Sequence, residues 1–248
     1  MSADAVLWHD LECGGYRADL PLWRELAAAH AGDGPLLDLG AGTGRVALEL
    51  ARAGHAVVAV DREPAFLAAL RERAAAAGPE VAARVETVAA DVRALDLPGR
   101  RFALALAPMQ TVQLLGGPDG RAAFLERVAA HLAPGGLLAC ALADPLEGFD
   151  AEHTEPPLPD VVERDGWVHV SQPVAVRPGP AGTTIERIRQ SVSPDGRRTV
   201  EGDAVTLDAL DGDGLAAEAA AVGLRDAGRR AVAATHEHVG SEVVLLGA

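Results

Sequence analysis

Lysine and asparagine are both missing from the 248 residues, and all 22 basic side chains are arginine. Without lysine there is no Schiff-base nucleophile and no phosphate loop of the Walker type; without asparagine no catalytic motif can use its amide. Cysteine is almost absent too. Cys13 and Cys140 stand far apart with no Cys-x-x-Cys pair, which excludes cysteine-rich zinc and iron–sulfur sites and fits a reducing compartment. No apolar run approaches the roughly 20 residues of a membrane span. Met1-Ser2-Ala3-Asp4 is acidic and lacks the basic stretch of a signal peptide, so a cytoplasmic protein without a membrane partner is expected. Cations are outnumbered by 36 acidic residues, and the net charge of −14 repels nucleic acid. What is present, 49% apolar against 23% charged residues, suits a globular chain with a sizeable core.

Short apolar runs alternate with Ala-rich amphipathic stretches through the first half. Strands are expected at 35–39, 55–61, 84–89, 102–107 and 137–142, the last introduced by Pro134-Gly135-Gly136. Helices are expected after Gly44 to Arg52, over 63–77 and near 121–131. Continuous apolar strands alternating with helices give a doubly wound α/β sheet covered on both faces. From Glu147 the texture changes. Strands at 167–176, 183–192 and 198–207, the last two joined by Pro194-Asp195-Gly196, make a three- or four-stranded antiparallel unit. A helix near 215–222 and two closing strands follow. The expected division is an N-terminal helical cap (1–34), a core (35–146 and 211–248) and a β insertion (147–210) serving as a lid or a homodimer contact.

Asp38-Leu39-Gly40-Ala41-Gly42-Thr43-Gly44 lies between a strand and a helix, where glycines let a ligand approach main-chain N–H groups. A dinucleotide fingerprint would need glycine at 45, where Arg45 stands. Asp38 would repel a pyrophosphate but attract an ammonium or sulfonium. An NAD-dependent oxidoreductase is therefore disfavoured, the more so because Tyr-x-x-x-Lys cannot occur; a purely structural turn is the plain alternative. Asp61 ends the second strand, 23 residues after Asp38, where a carboxylate can accept both ribose hydroxyls or simply be solvated. Asp91 with Val92 closes the third strand and can accept from an adenine amine or cap a turn.

These segments, LLDLGAGTGRVALELA, VVAVD, AADV and LAPGG, resemble in order and spacing the motifs of class I S-adenosylmethionine-dependent methyltransferases over residues 35–145. The resemblance implies a seven-stranded sheet of order 3-2-1-4-5-7-6 with strand 7 antiparallel. It implies S-adenosylmethionine as cofactor and S-adenosylhomocysteine as product. Asp38, Gly40 and Gly42 would surround the methionine part, Asp61 the ribose, and Asp91 with Val92 the adenine, with Ala41, Gly44 and Arg62 also in the cofactor-binding set. Phe66, five residues after Asp61, matches the apolar position over the adenine face, and Ala107 ends the strand leading to the transfer site. The β insertion resembles that of bacterial small-molecule methyltransferases.

Ala107-Pro108-Met109-Gln110 replaces the Asn/Asp-Pro-Pro-Tyr/Phe motif of adenine and glutamine methyltransferases, which disfavours those acceptors. Gln110, Thr111 and Gln113 could orient an acceptor or cap the next helix. Trp8, Tyr16 and Trp23 precede the glycine loop; Trp23 reads as core, whereas Tyr16 with Trp8 is expected to line an acceptor pocket. His9, beside Asp10 and Glu12, is the candidate general base. His236-Glu237-His238 presents two imidazoles without further ligands in view, so no metal is expected. Arg187 and Arg189 share a strand face, solvated or facing an anionic acceptor. The expected reaction is in-line methyl transfer to N, O or C of a small molecule. A protein or RNA methyltransferase, and a relative that binds S-adenosylmethionine without turnover, are the alternatives.

Overall fold

The computed structural model describes residues 3–236 and 238–248. Two helices, α1 (Ala3–Cys13) and α2 (Leu20–His30), precede β1 (Leu36–Leu39). Then follow α3 (Arg45–Arg52), β2 (Val57–Asp61), α4 (Pro64–Ala76), α5 (Pro79–Ala82), β3 (Val85–Ala89), β4 (Phe102–Ala107), α6 (Gly117–His131) and β5 (Leu132–Ala143). After a β-rich segment, α7 (Gly212–Ala220) leads to a second run of sheet strands near the C-terminus. In strand numbering by chain order these are β11 (Arg225–Val232) and β12 (Ser241–Gly247), since β6–β10 occupy the segment between. The main sheet has seven strands in the order β11-β12-β5-β4-β1-β2-β3, with β12 antiparallel to both neighbours, as the motifs implied.

Both faces of this sheet are covered, which is why its central strands are unbroken apolar runs. Leu36, Leu104 and Leu106 pack toward Trp23, Leu50 and Leu70 of α2, α3 and α4. Leu37, Leu39 and Val60 pack the other way, against Phe124 and Val128 of α6 and Leu215 of α7. Two boundaries differ from expectation. α6 starts at Gly117, not near Arg121: Gly117-Pro118-Asp119-Gly120 reads as a turn, yet Pro118 suits a first helical turn, and a Cβ at Gly120 would lie 1.8 Å from the Leu115 carbonyl oxygen. β5 begins at Leu132, so Pro134-Gly135-Gly136 is an irregularity inside the strand, where its register with β4 shifts.

The start of α2 is fastened to the start of α3 by a buried ion pair. Arg45 Nη1 and Nη2 donate to the two Asp19 oxygens at 2.5 and 2.8 Å, and Trp23 Nε1 adds a third bond at 2.7 Å. Removing one member of such a pair strands the other charge. Asp19→Ala is expected to cost about 3–5 kcal/mol in denaturant unfolding. A loss below about 1 kcal/mol, the range of an exposed pair, would refute a buried clamp.

Between β5 and α7 lie β6 (Phe149–Asp150), β7 (Asp160–Arg164), β8 (Trp167–Gly179), β9 (Gly182–Val192) and β10 (Arg198–Asp208), which form a second, five-stranded antiparallel sheet. It exceeds the three or four strands expected, because β7 hides in an acidic, Pro-rich stretch. Its signature is Asp165-Gly166, both at positive φ, the geometry of a two-residue hairpin. The sheet is tied back through Asp208, whose Oδ2 accepts from the Gly117 N–H at 2.7 Å and from Arg121 Nη1 at 2.8 Å. Among the described residues no helix is long and apolar enough to cross a membrane.

Candidate active site

Where β1–β4 end, a cleft of about 280 Å³ opens between the glycine loop, the β2–α4 and β3 ends, and the loop after β4. The loop's shape follows from its sequence. Gly40 and Ala41 N–H groups both donate to the Val60 carbonyl at 2.9 Å, folding the chain back over β2. Gly40 has φ +71, and a Cβ there would lie 2.8 Å from the Thr111 side chain; Gly44 has φ +95, and a Cβ there would lie 2.2 Å from Leu70 Cδ1. Both positive φ and close approach demand glycine. Gly42 presents its N–H to Asp61 Oδ2 at 2.8 Å.

Asp38 is fully buried, and neither carboxylate oxygen has a hydrogen bond of good geometry. Burial pushes its carboxyl up to about 7; Arg45 opposes the shift and Asp61 adds to it. A buried, orphaned carboxylate lining a cleft calls for a cationic partner, since an unpaired charge there is costly. Asp61 is the complementary case: Oδ2 accepts from Gly42 and Oδ1 from the Glu63 N–H at 2.9 Å, leaving one acceptor position on each oxygen for a diol. Phe66, Arg62, Asp91 and Val92 line the far end.

Of the sequence candidates, Asp38, Gly40, Ala41, Asp61, Arg62, Phe66, Asp91, Val92, His9 and Gln110 all border this one cleft. Gly42 and Gly44 lie outside the lining, packed against His9 and Leu70 respectively, and Ala107 is the buried end of β4, also outside it. His9 arrives from α1 as a roof. Its ring lies 4.4 Å from that of Phe66, and a Cβ on Gly42 would come 2.5 Å from its Nε2. Asp10 holds the roof down by accepting from Thr43 Oγ1 at 2.7 Å and pairing with Arg73. Burial opposes the Asp10 charge, but hydrogen bonds from His9, Arg73 and Thr43 hold its carboxyl well below the usual range.

Tyr16 is buried outside the cleft lining. Its ring lies 4.9 Å from that of His238 with Arg45 5.2 Å from its centroid, and burial raises the phenol despite a hydrogen bond with Ser241. Trp8 likewise faces away from the cleft, edge-on to His169 at 5.8 Å. Arg187 and Arg189 are half-buried and already ion-paired. Arg189 is bidentate to Glu12 at 2.8 Å and reaches Asp203 at 2.9 Å, while Arg187 pairs with Asp160 at 3.3 Å. α1 thus turns His9 and Cys13 to the cleft, and Trp8 and Glu12 to the second sheet. Glu237 lies outside the described residues. Gln113 proves structural, its Oε1 accepting from the Ala143 N–H at 2.8 Å.

Several lining residues escaped sequence reasoning. Arg93 borders the cleft in full ion-paired contact with Asp91, and only the two-residue spacing hinted at it. Met109 has φ +54, a conformation side chains rarely adopt, and no sequence signal announced it. Cys13 also borders the cleft, and burial pushes its thiol up to about 11, so it is no thiolate nucleophile at neutral pH.

Comparison with known proteins agrees with this geometry. Residues 36–136 match the family model described as a methyltransferase domain. Among solved structures, the CcbJ methyltransferase from Streptomyces caelestis is 26% identical with a TM-score of 0.70, over 94% of this chain and 96% of that one. Residues 36–136 thus match a methyltransferase domain, and over nearly its whole length the chain is similar to solved methyltransferases. CalS10, an amino pentose methyltransferase from Micromonospora echinaspora, superposes over 99% and 97% of the two chains with a TM-score of 0.68 at 22% identity. The glycopeptide N-methyltransferase MtfA, complexed with S-adenosyl-L-homocysteine, is 26% identical with a TM-score of 0.63 over 98% and 96%. No curated protein matches in sequence. For a methyltransferase the residues present fit the cofactor: an orphaned buried carboxylate suits its ammonium, and Asp61 suits its ribose.

Proposed function

We propose that the enzyme methylates the nitrogen of a small, amine-bearing metabolite of the sugar type. The observation that carries this is the charge of the wall beyond Cys13. Arg45, Arg187 and Arg189 are each matched to a carboxylate, Arg187 to Asp160 itself, while Asp144, near Tyr16, has no ion-pair partner among the described residues. Such a wall favours a cationic acceptor over an anionic one. Relatives described as amino pentose and glycopeptide N-methyltransferases support the same class.

In this reading Asp38 binds the ammonium of the methionine part, Asp61 the ribose hydroxyls, and Asp91 with Val92 the adenine, with Phe66 over its face. His9 roofs the cofactor, and Gln110 faces the acceptor. When bound, S-adenosylmethionine supplies an activated methyl group whose carbon–sulfur bond breaks as the new bond to nitrogen forms, leaving S-adenosylhomocysteine. The chain then has to orient the acceptor nitrogen in line, exclude water and take up one proton. Positioning alone is worth about 7–11 kcal/mol, so a dedicated base is dispensable for an amine.

The test is release of S-adenosylhomocysteine with a panel of amino sugars, simple amines, phenols and oxo-acids. Turnover with amino sugars is expected. Turnover with phenols or oxo-acids alone would move the nucleophile to oxygen or carbon. Tight cofactor binding without turnover on any acceptor would favour a non-methylating relative.

A further inference from the structure

The adenine end of the cleft carries a device that nucleoside recognition alone does not require. Asp91 ends the extended segment after β3, and the chain turns at once into a single helical turn, Val92–Ala94. The Arg93 N–H donates to Asp91 Oδ1 at 2.9 Å, and the Arg93 guanidinium then comes back over the same carboxylate. Nε lies 3.0 Å from Oδ1 and 3.2 Å from Oδ2, and Nη2 lies 2.6 Å from Oδ2. The third nitrogen, Nη1, reaches across to the Leu115 carbonyl at 3.3 Å, strapping this turn to the segment that leads into α6. Arg93 and Asp91 both line the cleft, together with Leu114 and Leu115.

A carboxylate offers about four lone-pair positions. Three N–H hydrogens engage it, the Nε–H being shared between both oxygens, so three hydrogens face four lone pairs and one acceptor position is left on Oδ2, in an orientation the guanidinium fixes. We propose that Arg93 sets base selectivity: by clamping Asp91 side-on, it leaves one oxygen lone pair to accept a hydrogen bond from the 6-amino group of adenine and to turn away a 6-oxo purine. The chemistry is one of sign. A 6-amino group donates and pairs with an acceptor-only carboxylate, while a 6-oxo group would set two acceptors against each other in a partly desolvated site. A carboxylate without the clamp is free to rotate, to hydrate, and to present either oxygen at a poorer angle. This inference rests on the cofactor reading above and adds Arg93 to it as a positioning residue.

Calorimetric titration of the full chain with S-adenosylhomocysteine and its 6-oxo analogue, S-inosylhomocysteine, tests it through the ratio of the two dissociation constants. The unaltered protein is expected to prefer the 6-amino ligand by about a hundredfold or more. Arg93→Ala and Arg93→Gln are each expected to lower that ratio at least about tenfold, and Asp91→Asn, whose amide can turn to donate, to bring it near unity. The ratio separates this role from a merely structural one, because a loosened fold weakens both ligands together. A ratio unchanged within about twofold in both Arg93 variants would overturn the proposal, whatever their absolute affinities. Failure of the unaltered protein to bind either ligand would instead overturn the cofactor reading, and this inference with it.

Discussion

An Asp61→Ala variant is expected to bind S-adenosylmethionine several hundredfold more weakly than the unaltered enzyme. Two effects add. The ribose loses two hydrogen bonds to a charged acceptor, each worth about 1.5–3 kcal/mol. The glycine loop also loses its anchor, since Asp61 Oδ2 holds the Gly42 N–H in place and Oδ1 holds that of Glu63. A combined loss of about 3–4 kcal/mol corresponds to roughly 150- to 900-fold in Kd. Asp61→Asn keeps one acceptor oxygen and should fall between the two. Calorimetric titration measures all three proteins, and an Asp61→Ala affinity within threefold of the parent would remove this carboxylate from the cofactor site.

Asp38→Asn is expected to move binding and stability in opposite directions. In the ligand-free enzyme burial raises the Asp38 carboxyl from its ordinary 3.8 to about 7, with Arg45 opposing and Asp61 and Asp19 contributing. Between those two pH values the folded chain holds a proton that the unfolded chain has released. Stability therefore declines as pH rises through that window, and above it the buried charge is a standing burden. Asn relieves that burden, so the variant should be more stable than the parent by about 2 kcal/mol at pH 8, with the gap closing toward pH 4. Cofactor binding should behave in the reverse manner. The parent must ionise Asp38 to receive an ammonium, so its affinity weakens by about tenfold per unit as pH falls below about 7, with release of a proton on binding. The variant loses both that pH dependence and about 3 kcal/mol of affinity, on the order of a hundredfold. Thermal unfolding and titrations at several pH values decide the matter. A variant less stable than its parent at pH 8, with parental affinity, would mean that Asp38 is a structural residue already satisfied.

What the chain revealed before folding was what it encodes locally. The glycine loop, Asp38, Asp61 and Asp91 sit at strand ends fixed by their own short segments, so spacing along the sequence translated into places around one cleft. Phe66 followed because it lies in the first turn of α4, five residues beyond Asp61. The roof was not legible in the same way. His9 reaches the loop only because Asp10 finds Arg73, 63 residues onward, and no local pattern encodes that encounter. Tyr16 and Trp8 were expected at an acceptor pocket because aromatics near a site suggest one. Tyr16 packs on His238 outside the cleft lining, and Trp8 on His169 with Arg189 over its ring. Arg189 of the second sheet could not be read as paired until α1 brought Glu12 to it, nor Arg187 until β7, hidden in its acidic stretch, brought Asp160. The positive φ of Met109 is a decision of the assembled fold, not of Pro108-Met109-Gln110 itself.

The five-stranded sheet is a single excursion between β5 and α7, so on paper it could be cut out or exchanged for another relative's. The contacts forbid a clean cut. Arg121, nearly fully buried, would keep Glu218 but lose Asp208, and the Gly117 N–H would lose its acceptor. On α1, Glu12 would lose both Arg189 and Ser171, and Trp8 would be laid bare beside His9, which borders the cleft. Grafting a foreign second sheet onto this chain therefore means transplanting its first helix as well, and matching the carboxylate that greets Arg121. The seam between the two sheets runs through α1, more than a hundred residues away from the segment a sequence comparison would mark for exchange.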